Sequence, residues 1–431
     1  MTKPKVVKVV IVGGGWAGCA AALTAKKSGG EVSIYERTDM LLGLGNVGGI
    51  MRNNGRYTAA EESILLGANE LFQLCDECSR HKNIDFPGHK HANLYDVAII
   101  EPSVRRLIKS KGINIYLQQR VTDVIKQGNK ITAIKLHDGS IIQGDIFIET
   151  TGSTGPMGNC LKYGNGCVMC ILRCPSFGPR ISLSYKAGVE DLLGQRADGS
   201  FGAFSGSCKL NKESLSQKIV EELNSKGVVV LPVPEEEINM DKLNIKVCQQ
   251  YALKDYAENI VLLDTGHAKL MAPFYPLDKL RKLEGFENAR FEDPYAGGVG
   301  NSIRYLSIAP RNNSMKVKGI DNLLCAGEKS GLFVGHTEAI VTGSLAGHNS
   351  IRMLLGIPLL ELPRNLASGD LIAYANAEIL EEEGLKKRYT FAGGEYFRRM
   401  QKLRLYTTDS NSLKSKIERL NLLNIYNEKL V

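Results

Sequence analysis

The sequence has no apolar run that approaches the ~20 consecutive residues needed to span a bilayer. Its hydrophobic and charged contents, 43% and 23%, are ordinary for a soluble globular chain of 431 residues. Lys3 and Lys5 before an apolar stretch resemble the start of a signal peptide, but the glycine motif that follows explains this stretch better. We therefore expect a cytoplasmic protein that does not contact a membrane.

A large charge excess is also missing. The formal net charge of +8 is mild for this length, so it permits contact with RNA or an acidic partner without requiring it. Ten cysteines in a cytoplasmic chain are not expected to form structural disulfides. Their spacing has to indicate which of them are metal ligands, redox thiols or small buried side chains.

A dinucleotide-binding pattern occupies residues 6–36. A β-branched run leads into a G-x-G-x-x-G motif, an Ala-rich helical stretch follows, and a second short strand ends on an acid. Gly13 permits the tight turn, Gly15 allows the backbone to approach a pyrophosphate, and Gly18 allows helix and strand to pack closely. The helix N-terminus offers unpaired N–H groups to the phosphates. The predicted cofactor contacts are Gly13, Gly15, Trp16, Ala17 and Gly18, with Glu36 on the ribose hydroxyls and Arg37 beside it.

The motif alone is a weak signal, as a second match in the same chain illustrates. Gly43, Gly45 and Gly48 have the same spacing, but no strand precedes them. The strand, the helix and the acid around the first match therefore carry the prediction of a dinucleotide site.

Two later stretches resemble the remaining parts of a two-domain flavoprotein. Residues 144–152 are similar to the second flavin fingerprint, D-x-x-I-x-A-T-G, and residues 319–328 end on the Ala-Gly-Glu that lies beside the ribityl chain in such proteins. A helix predicted from about Gly335 would direct its N-terminus to the flavin O2 position, where reduced flavin is negatively charged. Together the three stretches favour FAD over NAD. The further contacts implied are Thr151, Gly152, Gly327, Glu328, Gly335 and His336.

A separate nicotinamide domain is not expected, because no second unit of strand, G-x-G-x-x-G and helix exists. Electrons would come from transiently bound NAD(P)H, from a protein donor such as reduced ferredoxin, or through another redox centre.

Longer stretches resemble one family. Residues 275–291 are similar to a segment P-L-D…I-P-G-L-E-N-A-E-F, and residues 326–347 to A-G-Q…G…E-A-A-A-Q-G-L-L-A-G. Both segments belong to GidA-type flavoproteins and to the related folate- and FAD-dependent tRNA uracil-5-methyltransferases. Residues 177–180 (FGPR) resemble the F-G-P-M-K-P of the methyltransferases. The resemblance covers roughly residues 5–355 and implies a divergent member of this family with an added cysteine cluster.

The resemblance is less specific for the reaction. Cys160 lies at about the distance before Phe177 at which the methyltransferases carry a catalytic cysteine in G-C-x-P. Their other cysteine has no counterpart in residues 48–56, and their F-G-P-M-K-P lysine has no clear counterpart after Arg180. The nucleophile–thiol pair of uracil methylation is therefore incomplete in this chain.

Four cysteines fall within fifteen residues, at Cys160, Cys167, Cys170 and Cys174, with the spacing C-x6-C-x2-C-x3-C-P. The last part resembles a ferredoxin-type run, in which thiolates hold an iron–sulfur cluster. We predict these four side chains as ligands of a [4Fe–4S] cluster next to the flavin. Structural zinc shares the ligand set. Thiol redox chemistry, a nucleophilic Cys160 and cysteines without a chemical role are further alternatives.

Other candidates have weaker patterns. Cys75 and Cys78 form a C-x-x-C that fits a redox dithiol, half of a metal site or two buried side chains. The three histidines of residues 81–91 lie in a polar stretch and are expected to be solvated. His336 is a candidate catalytic proton donor near the flavin N1–C2=O group, with a structural role as its alternative.

The C-terminal part, residues 363–431, is polar and has a helical pattern. In GidA-type relatives such a region helps to hold tRNA. Here its local charge is only mildly basic, so a solvated face or a dimer contact is favoured over RNA binding. Its aromatic patch consists of Tyr389, Phe391, Tyr396 and Phe397.

These observations predict an α/β protein with a two-domain FAD-binding fold (Rossmann-type, glutathione-reductase-like), an inserted α+β domain and a small helical C-terminal tail. The FAD-binding domain would comprise residues 1–155 and 316–360, with the inserted cysteine-cluster domain at 156–315 and the helical region at 361–431. The leading hypothesis is an FAD-dependent oxidoreductase with a [4Fe–4S] cluster and a small-molecule or protein electron donor. The alternatives are a folate- and FAD-dependent enzyme that modifies tRNA or rRNA through Cys160, and a non-catalytic flavin and zinc protein. A homodimer and tRNA are further candidate partners.

Overall fold

The computed structural model describes residues 7–152, 177–204, 207–244, 246, 249–272, 275–292, 303–304, 306–381 and 383–431. The cysteine cluster at 160–174 lies outside these residues. The strands are β1 (Lys8–Val12), β2 (Glu31–Tyr35), β3 (Ile50–Met51), β4 (Ser79–Phe86), β5 (His89–Tyr95), β6 (Asn114–Tyr116), β7 (Val121–Gln127), β8 (Lys130–Leu136), β9 (Ile141–Gln143), β10 (Ile146–Glu149), β11 (Leu192–Leu193), β12 (Ala203–Phe204), β13 (Cys208–Leu210), β14 (Val228–Pro232), β15 (Asn259–Asp264), β16 (Ala268–Leu270), β17 (Ile303–Arg304), β18 (Ser307–Ile308) and β19 (Leu323–Cys325). The α-helices are α1 (Trp16–Lys27), α2 (Gly45–Gly48), α3 (Gly55–Leu65), α4 (Glu70–Glu77), α5 (Ile100–Ser110), α6 (Leu183–Lys186), α7 (Gln217–Lys226), α8 (Asp241–Asn244), α9 (Asp255–Glu258), α10 (Leu277–Leu280), α11 (His336–Leu355), α12 (Ala367–Glu378), α13 (Gly394–Lys402) and α14 (Ser410–Arg419).

A five-stranded parallel sheet forms the centre of the molecule, in the order β19-β10-β1-β2-β6. Its central strands are buried: β10 throughout and β1, a mostly β-branched run, from its second residue on, as is typical of a parallel sheet covered on both faces. Val9 pairs with both Val32 and Ile146, and Phe147 pairs with Leu323. The chain therefore leaves this sheet after β10 and returns to it at β19. This arrangement confirms the predicted FAD-binding fold and joins the three sequence stretches in one sheet.

Helices α1 and α11 pack against each other beside this sheet. A Cβ added to Gly343 would lie 2.3 Å from the Ala17 carbonyl oxygen, and one added to Gly347 would lie 2.1 Å from that of Ala21. The two backbones therefore approach closely because both positions lack a side chain. The Thr24 hydroxyl donates across the contact to the Ser344 carbonyl at 2.9 Å.

Two antiparallel sheets form the part of the chain opposite the parallel sheet. One has four strands in the order β13-β16-β15-β14, and the other has three in the order β3-β5-β4. A shared apolar core joins them, with Ile50 and Leu94 from the smaller sheet and Leu263 from the larger one. A third antiparallel sheet, β7-β8-β9, packs near the parallel sheet through Ile131 and Ile134.

Glycines divide two stretches that the sequence pattern predicts as continuous elements. The pattern predicts one strand over residues 141–148, but the structure has β9 and β10 there, in different sheets. Gly144 lies between them, where a Cβ would be 2.7 Å from Val10 Cγ2. The pattern also predicts one helix over residues 58–78, whereas the structure has α3 and α4, and Gly67 between them has a φ of +98°, a left-handed conformation that ends a helix.

The histidines of residues 81–91 lie in the hairpin of β4 and β5, not in a solvated loop. His89 is only 2% exposed. A polar sequence context concealed this burial, because the partners of His89 come from distant parts of the chain.

The C-terminal part is packed into the main core. Tyr389, Phe391 and Tyr396 are fully buried and Phe397 packs against the same cluster, so this patch is neither a solvated face nor a dimer contact. The last residues lie against α1, where the Leu430 N–H donates to the Ser28 carbonyl at 3.1 Å. Among the described helices, none has the length and apolar character required to cross a membrane.

Candidate functional site

A long cleft lies at the carboxyl ends of β1, β10 and β19, between the N-termini of α1 and α11. Ligands bind at this edge of open parallel sheets. The cleft brings together nearly all of the predicted cofactor contacts. Those that line it are Gly13, Gly15, Trp16, Ala17, Glu36, Arg37, Thr151, Gly152, Gly327, Glu328, Gly335 and His336.

At one end the cleft is formed mainly by backbone. Gly13 has a φ of +103°, and a Cβ there would lie 2.4 Å from the Thr150 carbonyl oxygen. Gly18 lies behind this turn, and its added Cβ would be 2.0 Å from the Gly13 carbonyl oxygen. An added Cβ at Gly15, by contrast, meets no described atom within 4 Å. Within the described part of the chain no side chain caps the N-terminus of α1, so its first N–H groups are available to an anion.

Glu36 follows β2 and faces the same turn. Its Oε2 accepts from the Gly14 N–H at 2.7 Å, and its Oε1 accepts from the Thr38 N–H at 2.9 Å. The Oε1 also accepts from the Thr38 hydroxyl at 3.0 Å, which fills its two lone pairs, so Oε2 is the oxygen that retains capacity for a ribose hydroxyl. Arg37 donates to the Gly178 carbonyl and thereby ties residues 177–180 to this end of the cleft.

At the other end, α11 begins at His336 directly beside the cleft. The Tyr95 hydroxyl donates to the Gly45 carbonyl at 2.6 Å and lies 3.2 Å from His336 Nδ1. Because a phenol has one proton, the His336 Nδ1–H is the donor to the Tyr95 oxygen. The neutral ring then has no second proton, so a proton-donor role for His336 requires the imidazolium form.

A buried ion pair supports the N-terminal turn of α11. Arg56 Nε lies 3.2 Å from the Glu338 carboxylate, and both side chains are buried. Arg56 also donates to the Val334 carbonyl at 2.8 Å, while Glu338 accepts from the Phe391 N–H at 2.9 Å. Arg56 lines the cleft, but its charge is compensated by Glu338, so its role at this end is to hold the turn before α11 in place.

The wall opposite the parallel sheet consists of residues that sequence reasoning missed. Lys269 Nζ donates to the Val47 carbonyl and to the Ser207 hydroxyl, both at 2.7 Å, and so ties this wall to α2. No motif marks these positions, since they meet only through tertiary packing. The wall contains Ser207, Lys246, Gln250, Tyr251, Lys269 and Met271.

Comparison with known proteins identifies the family. The sequence model described as Glucose inhibited division protein A (GIDA) matches residues 8–262 and 269–358. The chain belongs to the GidA family. Aquifex aeolicus GidA in its form II crystal is similar in structure, with a TM-score of 0.62 and 15% identity over 96% of this chain and 76% of that one. Its form I crystal gives 0.60 and 15%, over 96% of this chain and 79% of that one.

A GidA-type flavoprotein requires a cleft that fits FAD, and the described residues do fit it. Gly15 leaves room for a pyrophosphate at an uncapped helix end, and Glu36 has acceptors for a ribose. Among the described residues, six cationic side chains line the cleft, of which Arg56 is paired with Glu338, against two lining carboxylates. This excess favours a dianionic ligand. The cations are Arg37, Arg56, Arg120, Arg180, Lys246 and Lys269, and the carboxylates are Glu36 and Glu328.

The second glycine match also has a structural role in this GidA-type cleft. Gly43, Gly45 and Gly48 line it, although they do not form a second dinucleotide motif. A Cβ at Gly48 would lie 1.7 Å from His336 Cε1, so this glycine lets the α2 turn approach the start of α11.

The metal prediction has no support from the described part of the chain. No group of three or more His, Cys, Asp or Glu side chains there is arranged to hold a metal ion. Cys75 and Cys78 are both buried, and burial raises the pKa of each thiol. The proposed ligands Cys160, Cys167, Cys170 and Cys174 lie outside the described residues, so their role stays a prediction.

Proposed function

We propose that this protein is an FAD-dependent enzyme that modifies a uridine base in tRNA or rRNA. Membership of the GidA family over residues 8–358, apart from 263–268, is the observation that carries this proposal. It ranks this hypothesis ahead of the oxidoreductase with a [4Fe–4S] cluster, which was favoured by the cysteine spacing alone. The family resemblance implies tRNA as substrate and a reduced folate as carbon donor.

The cleft supports the proposal because it has two chemically different walls. One wall carries the predicted FAD contacts, from the Gly13 turn to the start of α11. The other carries Lys246, Tyr251 and Lys269, a set of cationic and aromatic side chains that suits a nucleotide. A base held between the walls would lie against the flavin end of the cofactor.

FAD, when bound, supplies the electron-pair chemistry that the side chains lack. The residues of the chain have other tasks in the proposed reaction. Gly15 and the α1 N-terminus bind phosphate, Glu36 binds ribose, and the α11 N-terminus favours negative charge at the end of the cleft beside His336. Cys160 is the proposed nucleophile and His336 the proposed proton donor.

An activity assay tests the proposal directly. FAD-loaded protein, a reduced folate and NAD(P)H are incubated with unmodified tRNA and rRNA transcripts, and the digested nucleosides are analysed by mass spectrometry. We expect a heavier uridine that depends on FAD. A Cys160→Ser variant should not form it, while Cys208→Ser should, because Cys208 is fully buried and its thiol pKa is raised to about 12.

A second measurement separates the remaining hypotheses. Anaerobic protein is assayed for iron, zinc and acid-labile sulfide together with its visible spectrum. About four irons per chain with a broad absorbance beside the flavin bands would restore the oxidoreductase hypothesis. Zinc without flavin turnover would favour the non-catalytic protein. The electron donor, a homodimer and a cytoplasmic location stay predictions, as do the domain boundaries.

A further inference from the structure

Gln250 is a buried side chain in the wall of the cleft that the proposed chemistry leaves without a task. It is 3% exposed, and its Oε1 has no hydrogen-bond partner among the described residues. An amide oxygen buried in this way costs about 1–3 kcal/mol unless a donor reaches it. Because no described donor does, the position suits a ligand that donates a hydrogen bond.

The backbone of Gln250 is held firmly in place. Its carbonyl lies 3.0 Å from His89 Nε2. On the other side, a Cβ at Gly393 would lie 2.6 Å from Gln250 Cβ, so only glycine allows this close packing. The side chain therefore starts from a fixed point at the wall of the cleft.

His89 can act only as a hydrogen-bond donor to the Gln250 carbonyl. Its Nδ1 lies 2.9 Å from the Asn53 amide nitrogen, which is a donor, so Nδ1 accepts and Nε2 carries the proton given to Gln250. Burial and the nearby Arg56 charge lower the His89 pKa to about 3, which keeps the ring neutral.

The same chain of contacts leads to the flavin end of the cleft. Arg56 Nη1 donates to the Asn53 side-chain oxygen at 3.1 Å, and Arg56 also contacts the turn before α11. Arg56, Asn53, His89 and Gln250 thus form a continuous hydrogen-bonded series from α11 to the opposite wall. Gln250 is therefore connected to the end of the cleft beside His336, the ring end. It is not connected to the end formed by the Gly13 turn, the phosphate end.

We propose that Gln250 binds the imide edge of a pyrimidinedione ring, the N–H group between two carbonyls that flavin and uracil share. Its Oε1 accepts from the ring N3–H, and its amide nitrogen donates to an adjacent ring carbonyl. This two-bond pairing matches donor to acceptor at both positions.

The ring has two sources, the flavin itself and a uridine of the RNA. In its RNA form the inference rests on the function proposed above, whereas in its flavin form it does not. N3-methylation removes the donor from either ring, so it separates the two sources without changing the protein.

The test compares the parent protein with Gln250→Leu and with the matched control Gln249→Leu, whose side chain does not line the cleft. In the flavin arm, apoprotein is titrated with FAD and with 3-methyl-FAD. In the RNA arm, FAD-loaded protein is titrated with oligouridylate and with its N3-methylated form. Thermal unfolding of each variant serves as the folding control.

We expect the parent protein and Gln249→Leu to bind the N3-methyl ligand about tenfold more weakly in one arm. Gln250→Leu should bind both forms of that ligand with equal affinity. The arm in which this occurs identifies the source of the ring. If neither arm shows discrimination by the parent protein, or if Gln250→Leu still discriminates, the inference is wrong.

A second variant covers the case in which Gln250→Leu does not fold. Gln250→Glu has the same shape and keeps an acceptor for N3–H, but it loses the donor to the carbonyl. It should retain discrimination against the N3-methyl ligand while its affinity falls about tenfold. An unchanged affinity would contradict the inference. A protein that binds no RNA but discriminates in the flavin arm would refute only the proposed function.

Discussion

The two ends of the cleft are constructed in different ways. The phosphate end is backbone from one short stretch, residues 13–18, with Thr150 packed behind it. The ring end is made of side chains from four separated parts of the chain: Arg56, Tyr95, Gln250 and His336. Its contacts are ion pairs and hydrogen bonds between residues far apart in sequence.

This difference explains what each end requires for stability. A backbone site depends on the absence of side chains, so its weak points are glycines that approach other backbone atoms. A side-chain site depends on complete pairing of buried polar groups, so its weak points are the residues that leave a partner unpaired. Substitutions at the two ends should therefore destabilise the protein for different reasons.

The largest effect is expected at the ring end, for Arg56→Met. This change leaves the buried Glu338 carboxylate without its cation, which should lower the free energy of unfolding by about 4 kcal/mol. Chemical denaturation measures it. The double variant Arg56→Met/Glu338→Gln removes the uncompensated charge and should recover about half of the loss. A loss below about 1 kcal/mol in the single variant would show that the pair is not buried as described.

A smaller effect is expected at the phosphate end, for Gly18→Ala. The added methyl group would lie 2.0 Å from the Gly13 carbonyl oxygen, so β1 and α1 must separate. We expect a loss of about 3 kcal/mol in unfolding free energy together with loss of bound FAD. Gly15→Ala is the matched control: no described atom lies within 4 Å of its Cβ. It should weaken FAD binding at unchanged stability. Equal unfolding midpoints for both variants would contradict the assignment.

The same contrast decides how much the sequence alone could predict. The residues 6–36 pattern predicted β1, the glycine turn, α1 and β2 at this end of the cleft, because these elements are specified locally. The later fingerprints placed β10, β19 and the start of α11 beside it. In each case the residues that determine the local structure are neighbours in the sequence.

The ring end was only partly predictable. Arg56, His89 and Gln250 carry no motif, since their partners are distant in sequence and their burial is set by packing. His89 was expected in solvent because its neighbours in sequence are polar, and the aromatic residues 389–397 were expected at a surface for the same reason. The composition of the neighbouring residues does not predict burial that results from packing against distant elements.

A pH measurement distinguishes the buried His89 from a solvated one. Its pKa is lowered from the ordinary 6.5 to about 3, mainly by burial. Below about pH 6.5 the unfolded chain takes up a proton that the folded protein does not, so stability falls as the pH decreases towards 3. Between about pH 7.5 and pH 5 this contributes a loss of about 2 kcal/mol.

The comparison variant for this effect is His89→Gln, whose side chain does not titrate and keeps a donor for the Gln250 carbonyl. Unfolding free energies of both proteins are measured at the two pH values. His348, whose pKa is also lowered, contributes equally to both and cancels. If the two proteins lose the same stability on acidification, His89 is not buried in its neutral form.

The smallest effect is expected for Glu36→Gln, and it tests whether side chains matter at the backbone end. The Gln oxygen still accepts from the Gly14 N–H, but the Gln amide nitrogen cannot accept from the Thr38 N–H, so the free energy of unfolding should fall by about 1 kcal/mol. The lost charge weakens the bond to a ribose hydroxyl, and FAD affinity should fall by about tenfold, as titration of the apoprotein would measure. Asp39→Asn, which alters an acid that does not line the cleft, should leave the affinity unchanged. If Glu36→Gln lowers the unfolding free energy as much as Gly18→Ala does, a side chain also determines the stability of this end. The proposed contrast between the two ends would then be wrong.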